Sequence, residues 1–350
     1  MYKSKIIIDL DNTITIDSKE KGYPDKELNS KVLEAINEAK KEYDLIVFTA
    51  RNMLSLNGDI NEINKITKPI AEKWLKGKSV PYDKLILGKP YCGKAGAYVD
   101  DKNMAIDEFI FRFSSPFKNK TIDVIIPFYN EKENILKVYN DVKRLERIFN
   151  IKNFLFVDNG SSDGSNIIFD NLRDRDDKLK VLKVKQNIGY GHGIKTGLNE
   201  SLADFSLINH SDCQFDTFSY FLNHLSVIEN LPEPSSIFSY RLNRSFTEKI
   251  NTSVLRLFLS IISFKFIKEF NGQPKLIDNG KIKGYIDQLP DNFSLDYSLL
   301  SVLKPKYFFP VIQKNRISGV SSWSGSIIKR LKIFLTYLIE ASKKHENIPS

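Results

Sequence analysis

Two runs of β-branched residues, each ending in a polar cluster, constrain this chain more than any other feature: KIIIDLDNT at residues 5–13 and TIDVIIPFYNE at 121–131. A continuous apolar run reads as a strand buried on both faces, the habit of parallel sheets, and each run here precedes amphipathic sequence of helix length. Each therefore opens its own α/β domain. The chain has 350 residues, more than one hydrophobic core usually organises, which again favours two domains. Between the runs, FRFSSPFKNK (111–120) reads as a connector, with a boundary near residue 117. The expected division is 1–117, 118–325, and a C-terminal amphipathic helix and tail at 326–350.

Composition narrows the class of partner. The 52 Lys and Arg exceed the 43 Asp and Glu, a formal charge of +9 that suits phosphate-bearing ligands or an anionic membrane face. No basic-aromatic array resembles a nucleic-acid platform, so nucleic acid is excluded as a partner. Cys92 and Cys213 are far apart and lack metal-ligand spacing, which fits a reduced, cytoplasmic setting. No signal-peptide pattern opens the chain. The most apolar stretch, VLRLFLSIISFKFI from Val254, is too short to span a bilayer and contains Arg256 and Lys265. The expected location is therefore cytoplasmic, with peripheral attachment to the inner face of the cytoplasmic membrane as the alternative.

In open α/β sheets ligands gather at the carboxyl ends of strands, and those ends are acidic here. The first run ends in Asp9 and Asp11; YDLIVFTAR ends in Thr49 and Arg51; AYVDDKN ends in Asp100 and Asp101, preceded by Lys89 and Lys94. Paired carboxylates after a buried strand are costly unless a cation or chemistry employs them. The ordered set resembles the haloacid dehalogenase superfamily of phosphohydrolases over about residues 5–112. FTARN, GKPYCG and YVDDK look especially like its capsular polysaccharide biosynthesis phosphatases. That resemblance implies that Asp9 attacks phosphorus and Asp11 serves as acid and then base, with Thr49 and Lys89 (or Lys94) holding the phosphoryl oxygens. It also implies Mg²⁺ held by Asp9, the Asp11 main-chain carbonyl, and Asp100 or Asp101. The ordinary alternative is that these are cap and turn residues. The short spacing between motifs leaves little room for a large cap domain, which suggests an open site for a phosphorylated sugar or alditol.

The second half carries VIIPFYNEKENI, FLFVDNGSSDGS, IGYGHGIKTGL and FSLINHSDCQFD in order. Together they resemble glycosyltransferase family 2. YRLNRSF, FNGQPKLI, FSLDYSLL and NRISGVSSW follow in the order of a branch similar to dolichyl-phosphate mannose synthases, over about residues 121–325. By this resemblance Tyr129 stacks on the nucleotide base, Asp158 accepts a hydrogen bond from it, and Asp212 holds Mg²⁺ or Mn²⁺ on the donor diphosphate. Asp216 and Gln214 complete the metal shell or orient the sugar. Pro127, Asn130, Glu131, Asp163 and Lys195 belong to the expected donor-binding set, and Arg241, Arg244, Lys275 and Arg316 supply cations. Inversion at the anomeric carbon is implied. Asp296 is a general base if the acceptor is a sugar hydroxyl, and structural if the acceptor is a polyprenyl phosphate.

Aligned on an Asp-x-Asp-x-Gln-x-Asp rhythm, His210 stands at the first Asp while Asp212, Gln214 and Asp216 keep their places. The ordinary reading of His192 and His210 is that of hydrogen-bonded structural histidines, and of the Gly run 189–193 that of tight packing. From Ser326 onward, Ile327, Ile328, Leu331, Phe334, Leu335, Leu338 and Ile339 recur at helical spacing beside Lys329, Arg330 and Lys332. Such a helix suits an anionic membrane, its own domain or a twin subunit equally.

The expectation is thus two Rossmann-like α/β domains, a haloacid dehalogenase-like phosphatase domain followed by a nucleotide-diphospho-sugar transferase domain. The expected function is a bifunctional enzyme of cell-surface polysaccharide biosynthesis, using a nucleotide sugar and a glycan or polyprenyl-phosphate acceptor. A working transferase with a regulatory, phosphate-binding first domain is the alternative, and a catalytically silent scaffold the third.

Overall fold

A computed structural model of the protein describes residues 3–16, 22–93, 98, 103–244, 246–264, 266–304, 306–315 and 327–342. Contacts gather the chain into two compact units, residues 1–118 with 225–231, and residues 119–224 with 232–350.

In the first unit the order is β1 (Lys5–Asp9), α1 (Ser30–Ala39), β2 (Asp44–Thr49), α2 (Ile60–Gly77), β3 (Lys84–Leu87) and α3 (Ile106–Ser114), with the short α8 (Leu225–Glu229) added from later in the chain. The three strands form a parallel sheet in the order β1-β2-β3, with Asp9 opposite Phe48 and Thr49 opposite Leu87. Ile8, Val47 and Leu85 pack with Val32 and Ile36 of α1 and Leu75 of α2. The continuous run predicts a β1 buried on both faces; instead Ile8 is buried while its neighbour Ile7, on the opposite face, is 65% exposed, so the described residues cover one face of this strand. β3 was not foreseen: KLIL is short and begins with a charge, so its periodicity is weak.

The second unit runs β4 (Thr121–Phe128), α4 (Ile135–Lys143), β5 (Asn150–Asp158), α5 (Ser165–Arg173), β6 (Leu179–Lys183), α6 (Tyr190–Glu200), β7 (Phe205–Ile208), α7 (Thr217–Leu222), β8 (Ser236–Arg241) and α9 (Phe246–Ser263). It closes with β9 (Gly272–Asp278), α10 (Asn279–Ile282), α11 (Leu295–Val302), β10 (Lys306–Val311) and α12 (Ile327–Ser342). The seven strands lie in the order β10-β8-β9-β7-β4-β5-β6, and only β9 runs antiparallel to its neighbours. The fold is α/β with a mixed sheet. β4 is buried along nearly its whole length, as its run of Val and Ile requires. Pro127 donates nothing to a ladder, but pairing with β7 ends at Ile125, so no strand on that side misses its N–H.

This topology gathers the ends of β4, β5, β7 and β8 along one edge of the sheet, with the start of β9 between the last two. Close packing behind that edge explains the glycines of α6. A Cβ on Gly191 would stand 2.3 Å from the Pro290 carbonyl oxygen, and one on Gly197 would stand 2.4 Å from Ile125 Cγ2. Overpacking of this kind costs about 1–3 kcal/mol. Gly197→Ala is therefore expected to lower stability by about that amount in urea denaturation, with the m-value unchanged.

Candidate active sites

In the first unit the ends of three strands bring the predicted groups together. Asp9 ends β1, Thr49 ends β2, and Lys89 follows β3, its N–H donating to the Thr49 carbonyl at 3.1 Å. Lys89 Nζ lies 3.1 Å from Asp9 Oδ2. Burial pushes the Asp9 carboxyl above its ordinary range, and the Lys89 ammonium draws it part of the way back. After β1 the chain turns through Asn12, which takes the left-handed conformation (φ 59°) that asparagine tolerates better than most residues.

That turn returns Asp11 to the ends of β2. Thr49 Oγ1 donates to Asp11 Oδ2 at 3.1 Å, and Arg51 Nε donates to both carboxylate oxygens at 3.0 and 2.9 Å. Lys26 Nζ is 3.5 Å from the same carboxylate. Arg51 is 2% exposed and stacks on the Tyr23 ring at 4.5 Å, yet its two terminal nitrogens have no hydrogen-bond partner among the described residues. The role of Arg51 was not legible beyond its place at a strand end, and nothing in the sequence signalled Tyr23 or Lys26. Asp100, Asp101 and Lys94 lie outside the described residues.

In the second unit the loops after β4 and β5 are knitted to each other. Asn130 N–H donates to Ser161 Oγ at 3.0 Å, and Ser162 N–H donates to Asn130 Oδ1 at 2.8 Å. Asp163 accepts from Lys132 N–H at 2.9 Å and from Ser165. Burial alone would raise the Asp163 carboxyl, but those hydrogen bonds bring it below its ordinary range. Asp158, buried at the end of β5, caps its own turn by accepting from Ser161 N–H at 2.8 Å. Glu131 accepts from Asn134 Nδ2, and Tyr129 stands half exposed at the mouth of these loops.

The NHSDCQFD loop after β7 is closed by Asn209, whose amide donates to Thr217 Oγ1 at 2.7 Å and to the Phe215 carbonyl. Asp212 is 4% exposed, and its Oδ1 accepts from Gln214 N–H at 3.2 Å. Cys213 sits at φ 56°, and burial with the Asp212 charge pushes its thiol up to about 11, so it remains protonated at neutral pH. Gln214 exchanges hydrogen bonds with the main chain of Lys314.

The expected metal role of Asp216 does not suit its geometry. Its carboxylate caps α7 through Ser219 N–H at 2.9 Å and pairs with Lys314 Nζ at 3.1 Å. Burial would raise it, but these partners and a hydrogen bond from Asp141 bring it to about 2. Asp141 shares the same helix end, accepting from Thr217 and Phe218 N–H at 2.7 and 3.2 Å, and burial with the Asp216 charge pushes it up to about 6. Among the described residues no three His, Cys, Asp or Glu side chains converge as a ready metal cluster.

Lys275 is the clearest correction. It was expected to face an anionic ligand, but it is wholly buried, with Nζ 3.1 Å from Asp296 Oδ1. Burial lowers its pKa, and Asp296 opposes that only in part. Gln273 donates to the Ile208 carbonyl at 3.1 Å and accepts from Lys275 at 2.7 Å and from the Tyr190 hydroxyl at 3.2 Å. That hydroxyl lies 3.4 Å from both Asp296 oxygens and 3.0 Å from His210 Nε2. A hydroxyl has one proton to give, so, having given it to Gln273, it takes a hydrogen bond from His210 Nε2–H. His210 is thus tied to the Tyr190 hydroxyl. Tyr190 and Phe293, which stack at 5.4 Å, complete the group.

The other expected cations have carboxylate partners as well. Lys195 Nζ and His192 Nδ1 both lie 3.2 Å from Asp291 Oδ1, and Arg241 and Arg244 face Glu269 at 2.5 and 3.8 Å. Arg316 lies outside the described residues.

Two outcomes follow. Lys275→Met strands the Asp296 charge and should cost about 3–5 kcal/mol in denaturant melts, while Lys275→Met with Asp296→Leu should recover most of that loss. The folded protein keeps a proton on Asp141 from its ordinary value of 3.8 up to about 6, where the unfolded chain has lost it, so this group's contribution makes stability fall as pH rises through that window. Asp141→Asn should remove that fall, gaining on the wild type by about 2 kcal/mol between the two ends of the window in thermal melts.

No curated protein matches the chain. A solved Vibrio cholerae protein is 36% identical over 31% of this chain and 87% of its own, with a TM-score of 0.29. Glucosyl-3-phosphoglycerate synthase from Mycobacterium tuberculosis, solved with Mn²⁺, UDP and glucosyl-3-phosphoglycerate, is 14% identical over 65% of this chain and 80% of its own, with a TM-score of 0.47. The same enzyme with Mn²⁺, UDP-glucose and phosphoglyceric acid is 15% identical over 66% and 83%, at 0.49. The model of the family described as Glycosyl transferase family 2 matches residues 123–275, which span the strands and loops that carry Tyr129, Asp158 and Asp212. Residues 123–275 are therefore a glycosyl transferase family 2 domain.

Proposed function

We propose that the chain is a bifunctional enzyme, an inverting nucleotide-sugar transferase fused to a phosphomonoesterase, working in the assembly of a cell-surface polysaccharide. The family match supports the transferase half. The observation that supports the phosphatase half is the convergence of Asp9, Asp11, Thr49, Arg51 and Lys89 at three strand ends, with the Arg51 terminal nitrogens unsatisfied.

In the first unit, Asp9 attacks phosphorus while the bond to the leaving oxygen breaks and Asp11 supplies that oxygen's proton. Water then cleaves the aspartyl phosphate, returning its proton to Asp11. Lys89 and the Arg51 nitrogens face the oxyanion charge. The Asp9 carboxylate and the Asp11 main-chain carbonyl are the hard oxygen donors that Mg²⁺ prefers, and a bound Mg²⁺ would offset phosphoryl charge.

In the second unit, Tyr129 offers an exposed face for a base and Asp158 an acceptor beside it. Asp212 is the carboxylate that would hold Mg²⁺ or Mn²⁺, and the metal would offset the charge of the donor diphosphate. Asp296 does not serve as a general base, because it is buried against Lys275. That favours an acceptor that is already anionic, which attacks the anomeric carbon opposite the departing diphosphate and needs no proton removed.

Asp212→Asn is expected to lower sugar transfer at least about 100-fold with phosphate release unchanged, and Asp9→Asn to abolish phosphate release with transfer unchanged. Phosphate release is followed with p-nitrophenyl phosphate and Mg²⁺, and transfer with UDP-, GDP- and CDP-sugars. Phosphate release that persists in Asp9→Asn refutes the first half; transfer at the wild-type rate by Asp212→Asn refutes the second. Absence of phosphate release from the wild type across phosphorylated sugars and alditols would instead favour a regulatory, phosphate-binding first unit.

A further inference from the structure

The second unit carries a cationic cavity beside an apolar surface that neither proposed reaction uses. The cavity, about 480 Å³, is walled by Arg241, Arg244, Lys249, Arg256 and Lys268, against which stands one carboxylate, Glu269. Glu269 is engaged by Arg241 at 2.5 Å. Arg256 Nε donates to the Ile267 carbonyl at 2.9 Å, and Lys268 lies 4.9 Å from the Phe308 ring, and neither of these partners is an anion. Lys249 has no carboxylate partner among the described residues.

Along α9, Leu257 and Ile261 stand one turn apart on one face of the helix, and Phe264 follows just after its end. They are 61%, 60% and 95% exposed. Phe266, 80% exposed, is also a wall of the cavity, so the apolar surface runs up to the cationic one. α12 touches α9 through Phe258 and Phe334 and leaves Leu335 and Ile339 more than half exposed. Isolated exposed apolar residues are ordinary, but a continuous face with two large aromatics at its end is the mark of an interaction surface.

We propose that this surface seats the protein on an anionic lipid bilayer: α9 lies in the headgroup region with Leu257, Ile261, Phe264 and Phe266 toward the acyl chains, and the cavity takes the phosphate of one lipid headgroup. Apolar and cationic groups side by side match a surface that is itself apolar below and anionic above. A second copy of this chain fits less well, because each carries a net +9 and would bring cationic cavities together. Among the described residues no helix is long and apolar enough to cross a membrane, so the contact is peripheral.

The test is co-sedimentation of the full chain with phosphatidylcholine vesicles, with and without about a quarter phosphatidylglycerol, at low and high salt. Binding to the anionic vesicles should exceed binding to the neutral ones by about tenfold or more and fall with salt. Leu257→Glu with Ile261→Glu should lose about tenfold, and Lys249→Glu with Lys268→Glu should lose the preference for anionic lipid. All four positions are on the surface or the cavity wall, and circular dichroism checks that the variants fold. The proposal is overturned if the wild type ignores anionic vesicles, or if Leu257→Glu with Ile261→Glu binds them undiminished. It is equally overturned if sedimentation velocity finds a dimer that this variant dissociates.

Discussion

The second unit is organised around the buried ion pair of Lys275 and Asp296. Removing two charges from water is costly, and a pair this deep is stabilising only if its remaining hydrogen-bonding capacity is met. Gln273 and Tyr190 meet it, and in doing so they tie β9 and α11 to the start of α6 and, through His210, to the loop after β7. A network of this kind contributes less to net stability than to the choice of one arrangement over its neighbours. Its consequence is that the loop bearing Asp212 takes its position from the interior of the domain.

The same network accounts for the histidine in NHSDCQFD. The position next to Tyr190 needs a donor, because the tyrosine proton is given to Gln273. A neutral imidazole donates from Nε2, whereas an ionised carboxylate there would place a second anion around a hydroxyl with one proton. His210, Tyr190, Asp296 and Lys275 therefore form one coupled set. The missing carboxylate in the motif is a change in what the loop is anchored to, and Asp212 keeps its own place.

Strand ends were the most legible part of the sequence, because a buried run of Val and Ile that stops at Asp or Thr reports both the strand and the edge where ligands gather. Asp9, Thr49 and Asp158 stand at such ends, and Asp212 lies in the loop that follows β7. Charged residues further from strand ends were misread. Lys275 looks like any cation near a ligand site, and only the antiparallel insertion of β9 between β7 and β8 buries it. Asp216 looked like a metal ligand by rhythm alone, but the same spacing places it at the first turn of α7, where a carboxylate finds backbone N–H groups. Tyr190 and Asp291 act through partners about 100 residues away, which no local pattern encodes.

The fate of the expected cations bears on how a diphosphate would be accommodated. Lys195 shares a partly exposed pair with Asp291, and such pairs are weak enough to yield to a more highly charged anion. Lys275 has no such freedom, since releasing it would leave Asp296 charged and buried. Arg241 and Arg244 are drawn toward Glu269 and the cationic cavity, one strand beyond β9 from the Asp212 loop. Positive charge in this unit is therefore divided between structure, a surface pair and a separate cavity. On the proposed transferase reading, that division assigns most of the offsetting of diphosphate charge to Asp212 and the cation it would hold, while Asp216, the other carboxylate the motif retains, is engaged by Lys314 and the first turn of α7.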